Sequence, residues 1–389
     1  MATVGKSLPR SFPEDSLRKG ESHASAASLE QLAAELVASG LAPSVAVGCA
    51  VKRDGEWVSA TAGDVTLPFD LASLTKPMTA VAVARARGLT ARSRLGELCP
   101  ELADTVSGNA SLEHLLSHRA GLVAHVPIYH PVALGEPLDP LVALRIAANG
   151  RREALSGEIP EAGFPPVYSD LGYALVGHAL ARHTSSRDAG EAIHRLVVEP
   201  LGLSGSLGTA RELLTHGVDL EVVAPPTEEI VWRGGLIQGR VHDENAWALT
   251  GVGGSGHAGM FGTVTAVLRF AQAVLDALSG AGAFGAADLR WLVAERPGGT
   301  LRAGFDGKSP EGSSAGARFG PRSFGHLGFT GTSVWIDPDA GVVAALLTNR
   351  VHPCRTRAGD AIKLARPRVH DALHEHASSV LPRVRSRRV

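Results

Sequence analysis

The sequence FDLASLTKPM, residues 69–78, is followed by an apolar run that ends at Gly88. This pattern predicts a helix that begins near Ser73, and Pro77 is tolerated because the first turn of a helix has unpaired backbone donors. Ser73 and Lys76 are three residues apart and therefore share one face of this helix. A serine beside an amine is a candidate nucleophile with a candidate base, and the helix N-terminus favours the developing negative charge.

The spacing alone decides little, because Ser16 and Lys19 repeat it in the polar N-terminal segment. The chain holds six lysines and carries most of its positive charge as arginine. Lysine, unlike arginine, can lose its proton when it is desolvated, so it can act as a base. A lysine against an apolar helix is therefore either a catalytic base or a surface residue at a helix start, and spacing and context leave both interpretations open.

Composition limits the function classes. The chain has 389 residues, a hydrophobic content of 44% and a net charge of −1, which is typical of a globular protein with a sizeable core. The small net charge argues against nucleic acid as a partner. The three cysteines have neither metal-ligand nor disulfide spacing, which favours a reducing compartment. No apolar run suits a signal segment or a membrane span, so we expect a cytoplasmic protein without a membrane partner.

Local patterns predict the main elements. Ser28 and Gln31 form a capping-box pattern before a helix that Gly40 ends, and Asp54-Gly55 predicts a hairpin between strands at 45–51 and 57–62. Strands are also expected at 333–337 and 342–348, around a turn, before a closing helix at 359–378 that is kinked or split at Pro367. Further helices are expected at 111–118, 171–183, 188–198, 263–279 and 287–293.

Strands at both chain ends with helices between them suggest one sheet built from both termini. The domain prediction is an α/β sheet domain from residues 26–88 and 320–380 with an inserted, mostly helical domain at 89–319. Residues 1–25 are expected to be a disordered lead-in and residues 381–389 a basic tail.

Six short segments occur in an order that is typical of one known family. The segments are SLTK (73–76), LLSHRAGL (115–122), YSDLGY (168–173), VHDENA (241–246), GHAGMF (256–261) and GHLGFTGT (325–332). By these segments the chain resembles the serine β-lactamase and penicillin-binding-protein superfamily, in its class C-like branch with esterases, amidases and D-aminopeptidases. The resemblance implies a β-lactamase-like α/β fold of the α+β type, in which helices flank an antiparallel sheet and an all-helical domain is inserted.

The resemblance implies a role for each matching residue. Ser73 would attack an acyl carbon and form an acyl-serine, while Tyr168 and Lys76 would deprotonate the serine. The segment 326–328 would lie on the strand opposite the nucleophile, with His326 and Gly328 beside the substrate. Backbone N–H groups of Ser73 and Phe329 would form the oxyanion hole, where one donor is typically worth about 3 kcal/mol.

Lys76 can act as a base near neutral pH only if its charge is disfavoured, because a free lysine titrates near pH ~10.4. We expect burial near the apolar Leu74 and Met78 to have this effect.

Two departures bear on the substrate. Asp170 stands where penicillin-recognising members usually carry asparagine, and Leu327 where they usually carry a threonine that contacts the substrate carboxylate. Both favour an ester or amide without that carboxylate. Recycling of muropeptide fragments in the cytoplasm stays open, because relatives with a similar GHAG segment resemble muramoyl amidases.

Several residues allow two interpretations. His257 either points into the site or ties down a loop, and His326 is either a charged donor to the leaving group or a strand residue, the former being favoured. Asp243 is expected to cap a short helix. The nucleophile-elbow pattern GSSAG at 312–316 and the dinucleotide-like pattern at 251–256 both lack the required strand, so both are expected to be loops.

The sequence therefore predicts a serine hydrolase that acts on a small-molecule ester or amide through acyl-Ser73, with no metal or organic cofactor. The alternatives are a β-lactamase or D-Ala carboxypeptidase-like enzyme, an acyltransferase, and a sensor that is acylated without turnover. The sequence leaves the oligomeric state open.

Overall fold

A computed structural model describes residues 28–285 and 288–381. The lead-in predicted for residues 1–25 lies outside these residues, as does the predicted basic tail beyond Leu381. The α-helices of the described residues are α1 (Leu29–Ala38), α2 (Thr75–Arg85), α3 (Leu95–Leu98), α4 (Leu112–Leu116), α5 (His130–Ala133), α6 (Pro140–Asn149), α7 (Asp170–His183), α8 (Ala189–Ile193), α9 (Ala210–Thr215), α10 (Leu220–Val223), α11 (Glu244–Thr250), α12 (Val264–Leu278), α13 (Arg290–Val293) and α14 (Ala361–Glu375). The strands are β1 (Val45–Arg53), β2 (Glu56–Gly63), β3 (Phe69–Asp70), β4 (Leu207–Gly208), β5 (Glu229–Ile230), β6 (Gly235–Leu236), β7 (Phe261–Gly262), β8 (Asp306–Gly307), β9 (Phe324–Leu327), β10 (Ser333–Asp337) and β11 (Val342–Thr348).

The main sheet has six strands in the order β2-β1-β11-β10-β9-β8, and every neighbouring pair is antiparallel. The N-terminal strand β1 pairs with the C-terminal strand β11, so both chain ends contribute to one sheet, as predicted. β11 is buried along its whole length because it is apolar and is covered on both faces. The antiparallel sheet with flanking helices confirms the predicted fold class.

The local predictions at the chain ends are confirmed. The Ser28 side chain accepts a hydrogen bond from the Gln31 amide and caps α1. Asp54 and Gly55 both have positive φ, as a type I′ hairpin turn requires, and Arg53 pairs with Glu56 across that turn. β10 and β11 have the predicted bounds.

Of the two expected effects of Pro367 on the closing helix, a kink or a split, the split is wrong. Pro367 lies inside α14, which runs from Ala361 to Glu375 as one helix. A proline removes one backbone donor, and this loss is offset by packing of the apolar face of α14, including Val369 and Leu373, against the sheet.

α12 falls inside the segment predicted to be an inserted helical domain, but it packs against the main sheet. Gly48 on β1 allows this close approach, because an added Cβ would lie 2.8 Å from the Leu268 side chain. On the same helix Asp276 pairs with Lys52 of β1 at 2.6 Å. The domain boundaries stay a prediction.

The segment from β3 to α2 lies where the sheet meets the helical region. β3 pairs with β7, and α2 is buried among α7, α8 and the helical turn at 194–198. Among the described residues, no helix has the length and apolar character needed to cross a membrane.

Candidate active site

Ser73 lies on a single 3-10 turn, Ala72–Leu74, immediately before α2. Ala72 adopts φ 47°, a left-handed conformation that is strained for a residue with a side chain. The buried Asp70 stabilises it, because its Oδ1 accepts a hydrogen bond from the Ala72 amide at 2.8 Å. The other oxygen, Oδ2, accepts the His242 amide at 2.7 Å. The Asp70 carboxylate therefore fixes the backbone turn that presents Ser73 to solvent.

Lys76 is completely buried, and its amine lies among oxygen atoms. Nζ lies 2.8 Å from Ser73 Oγ, 2.7 Å from Asp170 Oδ1 and 3.3 Å from the His257 carbonyl oxygen. The predicted shared face of Ser73 and Lys76 is thus present, and Asp170 at the first residue of α7 completes an ion pair with the lysine.

The expectation that burial lowers the pKa of Lys76 overall is wrong. Burial does lower the pKa of the amine, but the adjacent Asp170 carboxylate and Tyr168 outweigh this effect, and the pKa of Lys76 is raised. The lysine is therefore an ammonium at neutral pH, not a free amine.

Tyr168 lies just before α7, and its hydroxyl hydrogen-bonds to both Ser73 and Lys76. The Lys76 amine also lies 4.9 Å from the centre of the tyrosine ring. His118 positions this segment, because its ring stacks on Tyr168 at 4.7 Å and its Nδ1 accepts the Ser169 amide at 3.0 Å. Burial, together with the nearby Lys76 charge, keeps the pKa of His118 well below its usual value, so the ring is neutral and free to accept.

His326 lies on β9, where its ring centre is 6.0 Å from that of Tyr168. Burial and the Lys76 charge lower the pKa of His326 to about 3. The ring is therefore neutral at physiological pH, with Nδ1 2.8 Å from the Leu327 carbonyl oxygen. This corrects the expectation that His326 donates a charged hydrogen bond to the leaving group.

The turn after β9 is held against the segment that carries the nucleophile. Thr330 Oγ1 donates to the Asp70 carbonyl at 2.8 Å, and Thr332 Oγ1 donates to the Leu71 carbonyl at 3.1 Å. Gly328 is required here, because a Cβ at this position would overlap the Thr332 side chain. These contacts bring Phe329 and Ser73 to one cleft, as an oxyanion hole made from their two amides needs.

Arg366 also holds this turn in place. It is 7% exposed, and its Nη2 donates to the Gly328 and Thr332 carbonyl oxygens, each at 2.8 Å. Burial, with the like charge of Arg350 nearby, lowers the pKa of Arg366 to about 10.

The His257 side chain is directed away from Ser73. Its Nε2 lies 2.9 Å from Asp243 Oδ1 and its Nδ1 lies 2.9 Å from Ser255 Oγ. Asp243 also caps α11 by accepting the Ala246 amide, as predicted. Of the two interpretations of His257, the contacts favour the one in which it ties down a loop, and only its carbonyl oxygen reaches Lys76.

Ser73 opens into a cleft of about 770 Å³. Tyr168, Asp170, Gly328 and Phe329 line it, so these predicted residues meet Ser73 in one place, with Lys76 and His326 buried behind them. The Phe329 ring is 47% exposed and stacks on His242 at 5.7 Å.

Three arginines also line the cleft, together with acidic residues. Arg355 pairs with Glu228 and Glu244, whereas Arg350 and Arg366 have no carboxylate at ion-pair distance among the described residues. The Nε atoms of Arg350 and Arg366 are buried without a hydrogen-bond partner.

Sequence reasoning missed Asp70, His118 as a positioning residue, and these arginines. The DLAS and LLSHRAG segments were visible, but nothing in a linear pattern connects His118 to Tyr168 or Arg366 to Gly328.

One cluster has the composition of a metal site. Cys99, Glu101 and His178 place one ligand atom each within 4.8 Å of one another. Burial raises the pKa of the Cys99 thiol to about 12, which disfavours a thiolate ligand, and Glu101 already hydrogen-bonds His178 at 2.9 Å. None of the three lines the cleft, and we assign no metal to them.

A family model described as beta-lactamase matches residues 29–366. This chain belongs to the beta-lactamase family. It is a beta-lactamase-related serine hydrolase, and the matched range holds every residue of the candidate site.

Relatives of this family member differ in their activities. It is 26% identical over 342 residues to an Escherichia coli K12 protein named "Putative D-alanyl-D-alanine carboxypeptidase", covering 78% of this chain and 74% of that protein. The solved structure of EstCE1, titled a hydrolase with promiscuous acyltransferase activity, covers 89% of this chain and 97% of its own at 18% identity and a TM-score of 0.62. A class C beta-lactamase from Rhodobacter sphaeroides covers 88% and 97% at 14% identity and a TM-score of 0.61. At these identities the solved structures establish the fold alone.

Proposed function

We propose that this serine hydrolase cleaves an ester or amide through a covalent acyl-Ser73 intermediate. The observation that carries the proposal is the 2.8 Å contact between Ser73 Oγ and the buried Lys76 amine at the floor of an open cleft. A serine within hydrogen-bond reach of an amine that is itself oriented by a third group has the geometry of an activated nucleophile.

The reaction divides into two acyl-transfer steps. Ser73 Oγ attacks the carbonyl carbon as its proton passes into the hydrogen-bonded group around Lys76, and the amides of Ser73 and Phe329 stabilise the oxyanion. The leaving group departs with a proton, and water then attacks the acyl-enzyme from the open side of the cleft. Tyr168 contacts both Ser73 and Lys76, so its hydroxyl is suited to hold the two groups in position for this transfer.

The experiment is the turnover of p-nitrophenyl butyrate by wild type, Ser73→Ala and Ser314→Ala. Ser314 lies on the GSSAG loop and outside the cleft, so it is a matched control. We expect Ser73→Ala to lose activity while staying folded and Ser314→Ala to keep it. Undiminished hydrolysis by Ser73→Ala would overturn the proposal.

A second candidate is a substrate with a carboxylate next to the scissile bond, as in a D-alanyl peptide or a β-lactam. Arg350 and Arg366 favour it, because two guanidinium groups without carboxylate partners face the same cleft. Guanidinium groups bind carboxylates strongly in such surroundings. Hydrolysis of nitrocefin or release of D-alanine at a kcat/KM above that of the neutral ester, and its loss in Arg350→Met, would favour this candidate over a neutral substrate.

A further inference from the structure

The Lys76 amine is saturated with hydrogen-bond acceptors. Ser73 Oγ, Asp170 Oδ1 and the His257 carbonyl oxygen lie within 3.3 Å of its nitrogen, and the Tyr168 hydroxyl is a fourth neighbour. An ammonium has three N–H donors and no lone pair, so this arrangement matches the protonated lysine. Before the nitrogen can take the Ser73 proton, it must release one of its own.

Only one of these neighbours can receive that proton. The His257 carbonyl is an amide oxygen, which is a very weak base, and Ser73 is the group to be deprotonated. Asp170 presents a carboxylate oxygen at 2.7 Å, and its side chain is 22% exposed while that of Lys76 is completely buried. The Tyr168 hydroxyl could accept a proton only after it had lost its own, and the resulting phenolate would place a second negative charge beside Asp170.

We propose that Asp170 is the proton acceptor of a Ser73–Lys76–Asp170 relay, in which Lys76 gives a proton to Asp170 as it takes one from Ser73. Asp170 acts through Lys76 and is therefore a positioning residue as well as the acceptor. The inference rests on the proposed function and assigns the proton path within that same site.

The step balances in atoms and charge. The Ser73 O–H bond breaks, its oxygen bonds to the substrate carbon, and the carbonyl electron pair moves onto the substrate oxygen. The Ser73 proton forms a new N–H bond on Lys76, and an existing N–H bond of Lys76 breaks as Asp170 Oδ1 gains an O–H bond. The lysine is again an ammonium, Asp170 is neutral, and the tetrahedral oxyanion carries the negative charge. On collapse Lys76 protonates the leaving group and recovers its proton from Asp170.

The groups around this pair hold their charges over the working pH range. Tyr168 and Tyr173 have pKa values raised mainly by burial, so both stay protonated. Burial lowers the pKa values of His118 and His326, so both stay neutral, and Asp243, whose pKa is lowered against the effect of burial by its contacts with His257, stays ionised.

The relay predicts a distinctive pH dependence. Wild type loses no proton to solvent before the reaction, so its kcat/KM should not depend on deprotonation of Lys76 and should stay level through neutral pH. In Asp170→Asn the lysine must first lose its proton to solvent. The acidic limb should therefore move to higher pH by at least about one unit, and kcat/KM at pH 7 should fall on the order of 100-fold.

The experiment measures kcat/KM for p-nitrophenyl butyrate from pH 5 to 9.5 with wild type, Asp170→Asn and Asp170→Glu. The control is Asp276→Asn, which removes the carboxylate of another lysine–aspartate pair, with Lys52, outside the cleft. We expect the control to keep the wild-type profile and Asp170→Glu to restore part of the activity at pH 7. An acidic limb that moves to lower pH in Asp170→Asn, or does not move, would overturn the relay.

If Asp170→Asn fails to fold, the wild-type profile decides alone, because an acidic limb above about pH 8 would mean that Lys76 must first lose its proton to solvent. A wild type that neither hydrolyses the ester nor reacts with a fluorophosphonate would overturn the proposed function and the relay together. A wild type that is labelled and active, but whose kcat/KM has its acidic limb above about pH 8, overturns the relay alone.

Discussion

The two threonine hydroxyls that join the β9–β10 turn to the nucleophile segment should support both folding and catalysis. Thr330→Val removes the donor to the Asp70 carbonyl, and Thr332→Val removes the donor to the Leu71 carbonyl. Valine keeps the shape of threonine, so the lost group is in each case one buried hydroxyl.

The magnitudes differ between the two sites. Leaving the Asp70 carbonyl without the Thr330 hydroxyl should cost about 1–3 kcal/mol. The Leu71 carbonyl keeps a hydrogen bond from the Leu74 amide at 3.0 Å, so Thr332→Val should cost about 0.5–1.5 kcal/mol. The double variant should lose about 2–4 kcal/mol of unfolding free energy.

The effect on rate follows from the oxyanion hole. One donor of such a hole is worth roughly 100-fold or more in kcat, and loosening its position should cost part of that, about tenfold. We therefore expect kcat of the double variant to fall about tenfold, with KM changed by less than about threefold.

The assay combines urea unfolding with ester hydrolysis at saturating substrate. Thr105→Val is the control, because Thr105 donates a buried hydroxyl to the Leu102 carbonyl at 2.6 Å and does not line the cleft. It should lose stability without losing kcat. A double variant with wild-type kcat despite lowered stability would refute the view that these contacts position the oxyanion donors.

Three further predictions concern the supports of the site. His118→Phe keeps a ring against Tyr168 but removes the acceptor for the Ser169 amide, so kcat should fall about tenfold in steady-state kinetics. An unchanged kcat would contradict the positioning role of His118. Glu228 is buried, which opposes its charge, but hydrogen bonds from a histidine and an arginine lower its pKa to about 2. Its ionised form should therefore stabilise the fold by about 3 kcal/mol above pH ~4.5, and this contribution should be lost as the pH falls toward 2. In urea titrations the free energy of unfolding of Glu228→Gln should be lower than that of wild type at pH ~7, and the two should approach each other near pH ~2. Gly328→Ala would overlap the Thr332 side chain, so we expect about 1–3 kcal/mol of destabilisation and loss of most ester hydrolysis, whereas wild-type kinetics would show that the turn tolerates a Cβ.

The sequence predicted those elements well whose structure is determined by residues close together in the chain. The capping box of α1, the Asp54-Gly55 turn and the alternation along β1 all depend on neighbours in sequence. By contrast, the ten-residue α6 was not predicted, although Asp139 caps it and Pro140 occupies its first turn. These signals for the start of a helix were present, but the glycines and prolines around them indicated loops.

The site was predictable as a set of residues but not as a charge distribution. The Ser73–Lys76 face follows from helical spacing, whereas the ion pair of Lys76 with Asp170 joins residues 94 positions apart. The sequence indicated that Lys76 would be buried, and it is. Its pKa is raised because the Asp170 carboxylate lies next to its amine, and only the folded structure brings these two groups together.

Intact-mass measurement after treatment with a fluorophosphonate shows whether Ser73 is the nucleophile. Wild type and Ser314→Ala should each gain the mass of one probe adduct, and Ser73→Ala should gain none. Equal labelling of Ser73→Ala, or no labelling of wild type, would contradict the account.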